Sequence, residues 1–259
     1  FDDRYGEPNN YRLSECTKCK HICTFPRLEE KDLSDLYSNF YPRKKVNISD
    51  IIRNSHKTTK KFSWIKRWLD GTNNQGQYFT KPRNFVLDIG CGDCQSLVEA
   101  RLLGGKVFGV DPDKNIEIIS NKLSLNVHIG SIHENLFSTI KFDLIILNQV
   151  LEHIPNPNEL LKQISSKLSQ DGQIIISTPN IESFYRKLFG TRWINWHIPY
   201  HLHHFRIINL KRMLINNSFE ILQQKTITPN AWTIIQFRNI FQKNIKGNKN
   251  KIWLNNDRD

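Results

Sequence analysis

From residue 85 onward, short apolar runs rich in Val and Ile alternate with stretches of helical spacing. The runs begin at residues 85, 106, 126, 142 and 173 and read FVLDIG, KVFGVD, NVHIG, FDLIILN and QIIISTP. Between them, residues 94–103, 113–123 and 157–169 have the spacing of helices. Strands that are apolar almost throughout are typical of a parallel sheet with helices on both faces. The alternation therefore predicts an α/β fold.

The pattern changes near the end of the chain. FEILQQKTIT (219–228) and WTIIQFRN (232–239) resemble two strands separated by a short Pro-Asn-Ala turn, which predicts a closing antiparallel hairpin. The remaining residues are rich in Lys and Asn, and we expect them to fray.

The first part of the chain has a different character. Residues 1–40 contain three cysteines and no sustained period. A basic helical lead-in is predicted next, with Phe62, Trp64, Ile65, Trp68 and Leu69 within two turns and a polar loop after them. We therefore predict a Cys-containing segment over 1–40, the lead-in over 41–84, one main domain over 85–240 and a basic tail over 241–259.

Composition limits the classes of protein that remain. The chain has 259 residues, 38% of them hydrophobic, which is enough for a packed core. It contains no run of 18 apolar residues, so the sequence predicts no membrane-spanning helix. The sequence opens at Phe1 without an apolar signal core, which we interpret as a trimmed and non-secretory N-terminus. Five cysteines, an odd number in two short groups, favour a reducing cytoplasm.

The net charge of +12 is unevenly distributed. Residues 41–84 hold 11 basic residues against two acidic ones, and residues 238–259 hold six against two. Such segments can attract an anionic substrate, a membrane surface or nucleic acid, or can simply be solvated. Peripheral membrane contact is therefore left open.

The turn after the first run carries the strongest local signal. Asp88, Gly90 and Gly92 follow an apolar strand and open a helix, so a ligand can approach the backbone and the free N–H groups of the helix start. Asp111 ends the next strand, where a carboxylate can bind both hydroxyls of a ribose. These residues predict a nucleotide-like cofactor, although a plain strand–turn–helix with a capping Asp remains the alternative.

Taken together, the motifs resemble the class I S-adenosylmethionine-dependent methyltransferases, and especially the bacterial subgroup that includes the ubiquinone-biosynthesis O-methyltransferases. The resemblance covers roughly residues 60–240. It rests on VLDIGCGD (86–93), VFGVDPD (107–113), FDLIILNQVLEHIPNP (142–157), LSQDGQIIISTPN (168–180), PYHLHHF (199–205) and SFEI (218–221). It implies a Rossmann-like sheet of seven mostly parallel strands, the last one antiparallel.

The resemblance also assigns roles to residues around the cofactor. The methionine end would contact the turn and the end of the fourth strand, at Asp88, Gly90, Cys91, Gly92, Asn148 and Gln149. The ribose would bind Asp111, and the adenine would lie against Pro112, Ser131 and Ile132. Two positions depart from the family: Cys94 replaces the third glycine of the turn, and Ser131 replaces a common acidic residue.

Two histidines are candidates for the general base. His153 follows the strand that the family places beside the methionine moiety, and neutral imidazole suits proton removal near pH 7. A packing or capping role is the alternative for His153. His201 lies in a His- and aromatic-rich insert after the fifth strand, where the family builds its substrate wall. Some quinone-pathway relatives hold a divalent cation in the motif of Glu152 and His153, but here the first acidic position is Gln149.

Cys16 and Cys19, with Cys23 nearby, resemble the second half of an N-terminal zinc ribbon. Two thiolates at this spacing suit half of a tetrahedral zinc site. The other ligands of a ribbon are missing from this sequence, so we expect zinc at Cys16 and Cys19 only if further ligands complete the site.

The sequence thus predicts an enzyme that uses S-adenosylmethionine to methylate an oxygen of a small molecule or glycan precursor by direct in-line transfer. A phenolic quinone precursor is the alternative acceptor. Nucleic-acid modification is a different class of activity. The basic segments favour it, but the fourth motif, which runs from Asn148 to Glu152, does not favour it. The acceptor atom and the oligomeric state are not determined by the sequence.

Overall fold

The computed structural model describes residues 1–42, 47–59, 65, 85–241 and 245–254. They form two compact units. The first, called here the sheet unit, comprises Lys45–Leu151 and Asn158–Thr178. The second, called here the terminal unit, comprises Phe1–Lys44, Glu152–Pro157 and Pro179–Asp259.

The regular elements within the described residues alternate in type through the middle of the chain. The strands are β1 (Arg12–Glu15), β2 (Ile22–Phe25), β3 (Phe85–Ile89), β4 (Lys106–Asp111), β5 (Asn126–Ile129), β6 (Phe142–Asn148), β7 (Leu168–Ser177) and β8 (His203–His204). The helices are α1 (Glu30–Asn39), α2 (Ile48–Thr59), α3 (Gln95–Leu102), α4 (Asn115–Lys122), α5 (Pro157–Ser165), α6 (Phe184–Phe189), α7 (Ile207–Asn216), α8 (Asn230–Ile240) and α9 (Lys251–Leu254). Short 3₁₀ turns cover Leu151–His153, Gly190–Arg192 and Ile194–Trp196.

The sheet unit is built on five parallel strands in the order β5-β4-β3-β6-β7. Its central strands are buried along almost their whole length, with Leu87, Phe142 and Ile145 at 0% exposure. This is why their sequences are continuously apolar rather than alternating. The predicted α/β class and the parallel sheet are confirmed.

Helices α2, α3 and α4 of the sheet unit share one apolar cluster, to which Ile51, Leu97 and Ile116 contribute. The Thr58 hydroxyl of α2 donates to the Glu99 carboxylate of α3 at 2.6 Å. Helix α2 lies within the predicted basic lead-in. The lead-in was also predicted to contain five apolar residues within two turns and a polar loop. Apart from Ile65, these residues and the loop lie outside the described residues.

The closing hairpin predicted from the sequence does not form. Residues 219–229 have no regular secondary structure, and 230–240 form helix α8. Trp232, Ile235, Gln236 and Asn239 are spaced three and four apart and form the inward face of α8, with the last two at 0% and 1% exposure. The apolar run therefore follows a helical period. The described residues form a main sheet of five parallel strands, without the predicted sixth strand and antiparallel seventh strand.

The terminal unit contains a small antiparallel sheet in the order β1-β2-β8. Its core packs residues from the beginning, middle and end of the chain, including Tyr5, Leu36, Tyr200 and Trp253. The Arg4 guanidinium stacks on the Trp253 ring at 3.7 Å and donates to the Ile194 carbonyl. This unit is therefore held by contacts between segments far apart in sequence.

Among the described residues, the structure contains no helix that is both long enough and apolar enough to cross a membrane.

The buried amide of Gln236 gives a test of helix α8. Its Oε1 accepts from the Ile194 N–H at 2.9 Å, and its Nε2 donates to the Arg192 carbonyl at 2.9 Å. Gln236→Leu would leave both backbone groups without their partner, so we expect a loss of about 2–4 kcal/mol in the free energy of unfolding. Urea titration measures this loss. The same change at exposed Gln223 is the matched control, for which we expect less than about 0.5 kcal/mol; equal losses at the two positions would contradict the assignment.

Candidate active site

The carboxyl ends of three neighbouring strands meet at one edge of the sheet unit. Strand β3 ends at Ile89, β4 at Asp111 and β6 at Asn148. Because these strands are parallel, the loops that follow them share that edge, which is where ligands bind in open α/β sheets. The sequence-predicted cofactor residues lie on these strand ends and loops, except for Ser131 and Ile132, which follow β5.

The Asp111 carboxylate binds the turn that follows β3. Its Oδ2 accepts from the Gly92 N–H at 2.8 Å, and its Oδ1 accepts from the Asp113 N–H at 2.9 Å. Burial raises the pKa of Asp111, and the two backbone hydrogen bonds oppose that rise. The carboxylate is thus fixed in orientation, while each oxygen keeps a second lone pair for a ligand.

The turn itself depends on two glycines. Gly90 has a φ of +73°, and a Cβ there would lie 2.4 Å from Val150 Cγ2. Gly92 has a φ of +51°, and a Cβ there would meet nothing within 4 Å. Gly90 is therefore required by packing, whereas Gly92 leaves open space above the backbone. Cys94, at the position of the third family glycine, adopts a left-handed φ of 64° and is fully buried.

Asp88 lies beneath this turn and is 3% exposed. The Ser96 hydroxyl donates to its Oδ2, whereas its Oδ1 has no hydrogen-bond partner among the described residues. Burial raises the pKa of Asp88 to about 7. A buried carboxylate oxygen without a donor is costly, and it would be satisfied by a cationic ligand.

A cavity of about 270 Å³ opens at this edge of the sheet unit. Its lining residues are Asp88, Gly90, Cys91, Gly92, Asp93, Gln95, Ser96 and Asn148. Five of these were predicted from the sequence. Asp93, Gln95 and Ser96 were missed. A hydroxyl in the first turn of the helix after a D-x-G-x-G turn is a signal that could have identified Ser96.

The predicted cofactor residues Pro112, Ser131, Ile132 and Gln149 are not among those that line the cavity. Pro112 and Ser131 are exposed and Ile132 is half-buried, all on loops after β4 and β5. The Asn148 Oδ1 accepts from the Ser177 hydroxyl, and the Gln149 N–H donates to the Ser177 carbonyl at 2.8 Å. Gln149 has a left-handed φ of 56° and is exposed.

In the terminal unit, His153 and His201 lie side by side, with ring centroids 4.7 Å apart. His153 Nδ1 lies 2.9 Å from the Tyr200 carbonyl oxygen, which can only accept, so this nitrogen carries the proton and Nε2 holds the lone pair. Burial lowers the pKa of His153 to about 4 and that of His201 well below its usual range. Both rings are therefore neutral at physiological pH.

Buried Glu152 completes this group. The His201 Nε2 lies 4.0 Å from its Oε1, and ligand atoms of Glu152, His153 and His201 lie within 4.8 Å of one another. The side chains that the sequence offered as alternative bases are thus brought together, in an arrangement that could also hold a divalent cation.

Cys16 and Cys19 occupy the turn between β1 and β2. The Cys16 N–H donates to the His21 carbonyl and the Lys20 N–H to the Cys16 carbonyl, both at 2.9 Å. Backbone N–H groups of Cys19 and Lys18 lower the pKa of the exposed Cys16 thiol, as suits a metal-binding turn. Neither cysteine belongs to a group of three possible metal ligands in the described part of the chain. Zinc at this pair stays a prediction.

The uncompensated carboxylate of Asp88 makes a prediction about stability. The folded protein retains a proton on Asp88 that the unfolded chain has lost, so stability should fall as the pH rises from about 4 to about 7. We expect Asp88→Asn to raise the free energy of unfolding of the ligand-free protein by about 1–3 kcal/mol at pH 8, and by less at pH 5.

Urea titrations of both proteins at the two pH values measure this gain. Asp171→Asn removes the same charge from an exposed position that does not line the cavity and is the control, for which we expect a change below about 0.5 kcal/mol. A variant of Asp88 that is less stable than the unmodified protein at pH 8 would contradict the interpretation.

Comparisons with known proteins show which family the chain resembles. A family model described as a methyltransferase domain matches residues 58–224. The ubiquinone biosynthesis O-methyltransferase of Glaesserella parasuis serovar 5 is 27% identical over 133 residues, which are 46% of this chain and 56% of that protein. The enzyme of the same name from Bradyrhizobium diazoefficiens is 25% identical over 169 residues, 58% of this chain and 65% of its own length. The chain thus spans between half and two thirds of these curated relatives.

A solved chain from the complex between the Haloferax volcanii Trm112 methyltransferase activator and the putative methyltransferase aligns with a TM-score of 0.52 and 13% identity. The alignment covers 72% of this chain and 82% of that one, and at such identity the likeness is one of fold. The family match covers most of the chain and includes the strand ends that form the cavity. The chain therefore belongs to the methyltransferase-domain family.

Proposed function

We propose that this chain binds S-adenosylmethionine in the cavity of the sheet unit and transfers its methyl group to an oxygen of a small molecule or glycan precursor. The observation that carries the proposal is Asp88, whose buried Oδ1 lines the cavity without a donor. The proposed catalytic domain spans residues 85–240. The free thiols of all five cysteines suit the proposed cytoplasmic setting.

The methionine end of the cofactor fits the residues of the cavity. Its ammonium group would supply the donor that Asp88 Oδ1 lacks. The open space above Gly92 would admit the cofactor close to the backbone, which a larger side chain would fill. Cys91 and Asn148 line the same cavity, and Gln149 would border it after β6.

The nucleoside end would bind across the neighbouring strands. Asp111 is held by Gly92 and Asp113 with lone pairs remaining for the ribose hydroxyls. Pro112 would flank the adenine on one side. Ser131 and Ile132 would border it on the other, from the loop after β5.

When bound, S-adenosylmethionine supplies an activated methyl group, so the protein has to align the acceptor and remove its proton. His153 is the proposed base, because its Nδ1–H is directed to the Tyr200 carbonyl and its Nε2 has the lone pair. Tyr37 Oη lies 3.0 Å from His153 Nδ1 and helps to fix the ring. His201 is proposed to contact the acceptor, and Glu152 would join both histidines if a divalent cation is used.

The relatives' names support an O-methyltransferase and favour a phenolic quinone precursor as the alternative acceptor. Tyr37, Tyr41 and Tyr200 pack near His153 with ring centroids 5.0–5.4 Å apart, and such rings can bound a ring-shaped acceptor. Nucleic acid is the second class of acceptor, and only the positive charge of the basic lead-in and tail supports it. A screen for S-adenosylhomocysteine release with phenols, sugar nucleotides and short RNA distinguishes them: we expect turnover with a phenol or sugar and none with RNA.

Asp111 provides a test of cofactor binding. We expect Asp111→Asn to weaken S-adenosylhomocysteine binding about ten- to a hundredfold, because a buried carboxylate loses about 1.5–3 kcal/mol of charged hydrogen bonding to the ribose. Isothermal titration calorimetry measures the affinity. Asp113→Asn removes a charge two residues away and should change it by less than about threefold. Unchanged affinity in the Asp111 variant would show that Asp111 does not bind the cofactor.

The two histidines should have separable effects once an acceptor is known. We expect His153→Ala to lower kcat about 10²- to 10⁴-fold with cofactor affinity retained, and His201→Ala mainly to raise the KM of the acceptor. Because the pKa of His153 is about 4, the acid limb of the kcat/KM profile should lie below pH 5.

Steady-state kinetics from pH 4 to 8 measure these effects, and exposed His56→Ala serves as the matched control. Full turnover in His153→Ala, or an acid limb near pH 6.5 in the unmodified protein, would show that another group removes the proton.

A further inference from the structure

Strands β2 and β8 of the terminal unit bring three possible metal ligands to one face of the small sheet. Cys23 and His203 are directly paired across the two strands. His21 precedes Cys23 by two residues and so points to the same face. Nothing in the proposed methyl transfer uses these three side chains.

Two of the three distances between their ligand atoms are close to those of a tetrahedral zinc site, and all three atoms lie within 4.8 Å of one another. His21 Nε2 lies 3.1 Å from His203 Nδ1, and Cys23 Sγ lies 3.6 Å from the same nitrogen. Zinc bonds of about 2.0–2.1 Å to nitrogen and about 2.3 Å to sulfur, at tetrahedral angles, place two nitrogens about 3.4 Å apart and a nitrogen and a sulfur about 3.5 Å apart.

The outer nitrogen of His203 supports the same arrangement. Its Nε2 lies 3.3 Å from the Pro155 carbonyl oxygen, which can only accept. The proton of the neutral ring therefore lies on Nε2, and the Nδ1 lone pair faces His21 and Cys23. Histidines that bind metals commonly donate their other N–H to a carbonyl in this way.

We propose that His21 Nε2, Cys23 Sγ and His203 Nδ1 bind a zinc ion. Two imidazoles and one thiolate are typical of zinc, and three protein ligands leave a fourth position for water. Cys23 and His203 also line a cavity of about 510 Å³, together with Arg27 and Glu30. The site is separate from the Cys16 and Cys19 pair, whose side chains are exposed on the adjoining turn.

Cobalt substitution tests the site in the full chain. Cys16→Ser and Cys19→Ser are introduced first, so that the exposed pair provides no thiolate. Co²⁺ is then added under anaerobic conditions. The absorption spectrum is recorded for the thiolate-to-cobalt charge-transfer band and for the intense d–d bands of tetrahedral Co²⁺. We expect one thiolate-bound ion per chain, displaced by Zn²⁺.

Variants then identify the ligands. In this background, Cys23→Ser should abolish the charge-transfer band, and His203→Ala should weaken Co²⁺ binding at least about tenfold. His56→Ala, on α2 of the sheet unit, should change neither. Circular dichroism establishes that each variant is folded.

X-ray absorption of the zinc-loaded background protein gives a second measurement that needs no change at the site. We expect one sulfur and two imidazole nitrogens around zinc. The absence of bound metal, a shell without sulfur, or a charge-transfer band that persists in folded Cys23→Ser would overturn the proposal.

Discussion

The candidate cofactor site depends on one hydrogen bond, from the Gly92 N–H to the Asp111 carboxylate, which joins the ends of β3 and β4. Parallel pairing of β3 with β4 brings these ends to one edge, and the carboxylate then fixes the turn between β3 and α3. Gly90 can adopt the required backbone only because it has no Cβ to meet Val150. The cavity over Gly92 is therefore a consequence of strand pairing and of two glycines.

Asp88 lowers the stability of the folded protein and, for the same reason, favours the binding of a cationic ligand. A carboxylate at 3% exposure with one oxygen unpartnered opposes folding once it ionises. A cationic ligand group would reverse that penalty, because the buried charge would then be paired in a low-dielectric environment. Local strain and unsatisfied groups of this kind are typical of functional sites and are offset by the packing elsewhere. In the sheet unit that packing comes from the continuously apolar strands β3 and β6.

The sequence was sufficient for features that depend on local pattern and insufficient for those that depend on distant contacts. The parallel strands and the D-x-G-x-G turn are encoded in short apolar runs and two glycines, and both were predicted. The run 232–239 resembles a strand because β-branched and aromatic residues favour strands, and only packing against the terminal-unit core selects the helix. The His21, Cys23 and His203 group was missed because His203 is 180 residues from Cys23 and only strand pairing unites them.

The most direct test of the proposed role of Asp88 is the proton balance of ligand binding. Titration calorimetry with S-adenosylhomocysteine at pH 7, in buffers of different ionisation enthalpy, counts the protons exchanged. Because the pKa of Asp88 is about 7, pairing its carboxylate with the ligand ammonium should release up to about half a proton per site, and Asp88→Asn should release none. Tight binding without proton release, or equal release in the variant, would contradict the claim that this buried carboxylate receives the cationic end of the cofactor.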